Sequence, residues 1–119
     1  GHSFSPIIEM QNVATLQHGE AVVLDCLFSS CIANFRGYID DETLERIFKT
    51  AHRLKLPVFH KDFTDYYLLS KSLNDTMKHR NGNQYLPLPI GIGNYKIIND
   101  LMDVEIKAAI NIFEEVKYE

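Results

Sequence analysis

Residues 21–35 read AVVLDCLFSSCIANF, and no other stretch restricts the chain so tightly. A run this apolar has to be buried. It is 15 residues long and carries Asp25, whereas a membrane span needs about 20 apolar residues and avoids carboxylates. The run is therefore expected to be the central helix of a water-soluble fold, packed on most of its sides. The helix is expected to begin near His18 or Gly19 and to end at Gly37, since glycine is common just past a helix C-terminus.

The other segments are laid out around it. Ser5-Pro6 suits a helix start, with Ser5 as N-cap and Pro6 in the first turn, and this helix is expected to reach about Thr15. Asp40 or Asp41 opens a third helix. There Leu44, Ile47, Phe48, Ala51 and Leu54 fall on one face, and Leu56-Pro57 stops it. Thr64 is expected to cap a fourth helix running to about His79. In QYLPLPIGIGNYKI two prolines on alternate positions exclude a helix and disfavour a central strand. One short extended segment, about 85–90, with a glycine-punctuated loop is expected instead. A last helix spans about Asp103 to Tyr118. The fold class is mainly α, and residues 1–119 form a single helical domain.

Charge and cysteine content narrow the function classes. The net charge is −4, and the only dense basic cluster is Lys78-His79-Arg80, too small for a nucleic-acid footprint. Nucleic acid and membrane are not expected as partners. Cys26 and Cys31 lie five apart, which points them in different directions on a helix. They are read as reduced thiols of an intracellular protein. Gly91-Ile92-Gly93 is no dinucleotide fingerprint, because Lys96 stands where the third glycine belongs.

Four features could carry chemistry, each with a plainer alternative. His2 and His18 are sixteen apart (18 − 2). They are either two ligands of a catalytic metal, which wants three protein ligands and an open position, or a tag remnant and a helix-capping histidine. Glu20 could hydrogen-bond the second nitrogen of such a ligand, or only complement the helix dipole. Asp25 is the sole charge in its apolar run and lies two helical turns after His18. It is expected to meet a substrate hydroxyl, the alternative being a notch in helix packing. Lys78, His79 and Arg80 either offset the dipole of the fourth helix or bind an anionic group such as phosphate.

Taken in order, GHSFSPIIEM, HGEAVVLD, MKHRNGN and LPLPIGIG resemble the C-terminal domain of the sugar phosphate cyclases, the dehydroquinate synthase superfamily. The likeness covers nearly the whole chain. Dehydroquinate synthases typically read GHTFGHAIE and HGEAVxxGM. Here Pro6 replaces the second histidine of the first block, and Asp25 replaces the glycine of the second. These variants look like the sedoheptulose 7-phosphate branch, which makes valiolone-type cyclitols. The lost histidine speaks against dehydroquinate synthase activity.

The resemblance implies an NAD- and metal-dependent cyclase that eliminates phosphate from a sugar phosphate. It implies that His2 and His18 bind zinc or cobalt, with a third ligand, a glutamate, well upstream. It also implies that His79 and Arg80, with Lys78 beside them, face the substrate phosphate. NAD would be bound mainly by an N-terminal domain, making this chain the C-terminal fragment of a longer two-domain enzyme, a cytoplasmic homodimer when whole. Alone, the 119 residues are expected to be inactive. The competing readings are 3-dehydroquinate synthase or another cyclase of the same superfamily, and a truncated, non-catalytic helical interaction module.

Overall fold

The computed structural model describes residues 2–116. Five helices and one hairpin follow in the order α1 (Ser5–Gln11), α2 (His18–Phe35), α3 (Asp41–Arg53), a 3-10 turn (Lys61–Thr64), α4 (Tyr66–Lys78), β1 (Leu86–Ile90), β2 (Asn94–Ile98) and α5 (Asp103–Glu115). The fold is mainly helical, as its composition and periodicity imply. Among the described residues no helix is long and apolar enough to cross a membrane.

α2 is the axis of the domain. Leu24, Phe28, Cys31, Ile32 and Ala33 are fully buried, as is Asp25. Phe28 sits in an aromatic cluster, its ring centroid 5.2 Å from Phe4, 5.9 Å from Phe63 and 6.0 Å from Phe113. The segment before α1, the 3-10 turn and α5 thus close on the same point of α2. The helix ends where expected, with Gly37 at φ +79° and the Tyr38 amide reaching back to the Ala33 carbonyl (2.9 Å). Cys26 is exposed, Cys31 is buried, and both are free thiols.

Several boundaries differ from the sequence expectation. α1 stops at Gln11 rather than Thr15, and Asn12 folds back to hydrogen-bond the Ile8 carbonyl (2.7 Å). Ser5 is not the cap but the first helical residue, and Phe4 holds the cap position without a side-chain bond. Asp65, not Thr64, caps α4, accepting from the Leu68 amide at 3.1 Å. Asp40 caps α3 as expected, accepting from the Thr43 amide at 2.7 Å. α5 ends at Glu115, and its expected extension to Tyr118 lies outside the described residues.

The expected extended segment is one arm of an antiparallel hairpin, pairing Leu86 with Ile98 and Ile90 with Asn94. Pro87 and Pro89 share one parity. In an antiparallel ladder alternate residues turn their N–H groups away from the partner, so both prolines fit where no donor is needed. Leu86 and Leu88 are fully buried, which seats the hairpin on α2.

Candidate metal centre

α2 begins on His18, and the turn after α1 brings that residue back beside the segment that precedes α1. His2 stands on that segment. The two imidazoles lie 5.4 Å apart, centroid to centroid, and are tilted by 37°. With zinc–nitrogen bonds of about 2.0–2.1 Å, two histidines on one tetrahedral ion place their ring centres about 5 Å apart. The pair fits a shared divalent ion. Both rings are exposed, so the remaining coordination positions face outward. Among the described residues no group of three His, Cys, Asp or Glu is placed to hold a metal, so a complete site needs a ligand from elsewhere.

His18 is oriented by Glu9. Its Nδ1 lies 3.0 Å from Glu9 Oε1 and 2.9 Å from Oε2. A carboxylate is only an acceptor, so the imidazole proton belongs on Nδ1 and the Nε2 lone pair is left for a metal. Glu20, the residue expected to do this, is committed elsewhere. Its Oε1 accepts from the Gln17 amide (3.0 Å) and closes a capping box at the start of α2. Two residues of separation at a helix start direct Glu20 back along its own backbone. Glu9, nine residues away, is the neighbour across the α1–α2 corner. Sequence reasoning missed it because only tertiary packing brings it there.

His2 is held through its backbone. Thr76 of α4 donates its hydroxyl to the Ser3 carbonyl (2.9 Å) and more weakly to that of His2 (3.5 Å). Arg80 Nη1 donates to Ser3 Oγ (3.3 Å) and to the carbonyls of Gln84 (2.7 Å) and Tyr85 (3.1 Å). α4 therefore ends beside the histidine pair, and its last turn carries the Lys78-His79-Arg80 cluster to the same end of the molecule. Lys78 and His79 are exposed, with Lys78 Nζ 3.7 Å from Asp75. Arg80 is partly occupied as a structural tie, a role that its place in a basic cluster does not reveal.

Asp25 corrects another expectation. It is fully buried and offers no surface to a substrate hydroxyl in this chain. Its Oδ2 accepts from the Phe4 amide (2.9 Å) and the Ser5 amide (2.8 Å), and Oδ1 is buried without a hydrogen-bond partner. Burial pushes its carboxyl above the ordinary range, against the opposing pull of the two amides. The helical spacing from His18 is as expected. Because α2 is enclosed nearly all round, however, that direction leads into α1 rather than to the surface.

The model for the C-terminal domain of 3-dehydroquinate synthase matches residues 1–79, which span the histidine pair, Glu9, Asp25 and α4 up to His79. The chain belongs to the 3-dehydroquinate synthase C-terminal family. Within that family it is 40% identical, over 98% of its length, to a 2-epi-5-epi-valiolone synthase of Actinomyces sp. It is 44% identical over 92% of its length to a protein of the same name from Streptomyces hygroscopicus subsp. jinggangensis (strain 5008). It covers 30% and 26% of those two proteins, so it spans less than a third of the relatives it matches. Its fold matches the solved structure of ValA, the 2-epi-5-epi-valiolone synthase of that Streptomyces, which has NAD+ and Zn2+ bound. The TM-score is 0.90 at 42% identity, over 96% of this chain and 31% of that one.

Proposed function

We propose that this chain is the metal- and substrate-binding C-terminal part of an NAD- and zinc-dependent sugar phosphate cyclase. The reaction is that of a 2-epi-5-epi-valiolone synthase, taking sedoheptulose 7-phosphate to a valiolone-type cyclitol with loss of phosphate. The observation that carries the reading is the meeting of His2 and His18 at 5.4 Å, with the Nε2 of His18 available. Its setting is a chain 42% identical to a protein solved with NAD+ and Zn2+.

His2 and His18 would hold zinc or cobalt, with a third ligand from a preceding NAD-binding domain. Together the two cofactors supply transient oxidation of a substrate hydroxyl and Lewis-acid polarisation of its oxygen. This chain's own residues bind and orient. Lys78 and His79, exposed at the end of α4, meet the substrate phosphate, and Arg80 adds its positive charge from a fixed position. Pro6 supplies no proton-transfer group where dehydroquinate synthases carry a histidine, so the departing phosphate takes its own proton. The whole enzyme is proposed to be a cytoplasmic homodimer.

In the complete enzyme, His18→Ala is expected to lose bound zinc and to abolish turnover of sedoheptulose 7-phosphate. Zinc content by elemental analysis and phosphate release measure both. Full activity in that variant contradicts the reading. Turnover of the seven-carbon heptulosonate phosphate, with none of sedoheptulose 7-phosphate, reassigns it to dehydroquinate synthase.

A further inference from the structure

The first N–H groups of a helix have no partner within it. α1 has no cap of its own, since Phe4 at the cap position has no acceptor side chain. The acceptor comes from α2, where Asp25 Oδ2 takes both the Phe4 and the Ser5 amide at 2.9 and 2.8 Å. Ser3, Phe4 and Ser5 are themselves buried, so the clamp sets where the chain enters the core. His2 is the next residue out. α2 thus carries His18 on its first residue and, two turns on, the group that fixes the segment bearing His2.

We propose that Asp25 is a positioning residue of the metal centre: it holds residues 3–5 so that the His2 imidazole stands opposite His18 before any metal arrives. The inference rests on the reading of His2 and His18 as metal ligands. Asp25 touches neither metal nor substrate. Both backbone hydrogen bonds go to one oxygen, Oδ2, while Oδ1 is buried without a hydrogen-bond partner. This separates positioning from carboxylate chemistry. Asn keeps an acceptor oxygen in the place of Oδ2. Leu keeps the volume and leaves two buried amides without an acceptor, which is costly.

The test compares wild type, Asp25→Asn and Asp25→Leu in the complete enzyme. Zinc affinity is read by chelator competition, and ligand geometry by the visible spectrum of the cobalt-substituted forms. Asp25→Leu is expected to bind zinc 10- to 100-fold more weakly, as supports of metal ligands typically do when removed, with an altered cobalt spectrum. Asp25→Asn is expected to stay near wild type. Wild-type zinc affinity in the Leu variant overturns the inference, as does an Asn variant as impaired as Leu.

Should the Leu variant not fold, amide hydrogen exchange on the zinc-free wild-type enzyme decides. Slow exchange at Phe4 and Ser5 without metal is expected. Fast exchange that slows only on adding zinc makes the metal, not Asp25, the organiser, and overturns the inference. A His18→Ala enzyme with full zinc content removes the metal reading itself, whatever the amides do, and the inference falls with it.

Discussion

A histidine with a carboxylate on Nδ1 presents Nε2 as a fixed lone pair, and this is the division of labour between Glu9 and His18. Removing the carboxylate frees the ring to rotate and to change tautomer. In the complete enzyme, Glu9→Ala is expected to weaken zinc binding about 10- to 100-fold. Glu9→Gln, whose amide oxygen still accepts from Nδ1, is expected to lose less; zinc titration against a chelator gives both values. That His2 and His18 would be neighbours was legible in the sequence because their motif blocks stand in order. Their supports were less so. Glu20 is nearest to His18 along the chain but is bound to its own backbone, while Glu9 reaches the ring only through the packing of α1 on α2. Asp25 was legible as a buried charge that needed partners. Which partners it has depends on what lies against α2, and spacing along one helix does not contain that.

Between elements, the strongest polar tie joins the end of α2 to the start of α5. Arg36 Nε lies 2.6 Å and Nη2 2.9 Å from the two oxygens of Glu105, and Asp100 flanks them at 3.0 Å. Burial pushes the Glu105 carboxyl up, but the hydrogen bonds from Arg36 and the Met102 amide outweigh it and hold the group below its usual range. The same contacts keep Arg36 protonated. A carboxyl with a lowered folded pKa contributes stability that is complete above its unfolded value, about 4.3 for Glu, and is lost as pH falls through the folded value. Glu105→Gln is therefore expected to destabilise the fold by about 2 kcal/mol at pH 7, less than a fully buried pair because Asp100 still faces Arg36. The gap should close well below pH 4, as urea unfolding at pH 7 and pH 3 will show. Helix α2 was legible from its unbroken apolar run and Gly37, and the later helices from apolar spacing, Asp40 and Pro57. The second strand was not. Asn94 to Ile97 are all exposed, so the strand shows no alternation of buried and exposed positions to reveal it.

For the molecule as a whole, the described residues form a folded helical unit, while the matched relatives are more than three times as long (30% and 26% coverage). No glycine-rich dinucleotide turn is present, and the hairpin loop at Gly91 and Gly93 leads into β2 rather than into a helix. Calorimetric titration of NAD into the 119-residue chain is expected to show no binding at micromolar concentrations. Measurable heat of binding there would place a cofactor site in this helical part. The corner formed by α1 and α2 holds the two histidines proposed as ligands and the two carboxylates beside them and their segment, all within residues 2–25. Such a cassette is inherited as a unit: across related chains, positions 2, 9 and 18 are expected to be kept together or lost together, and a lineage that abandons the metal should release all three at once.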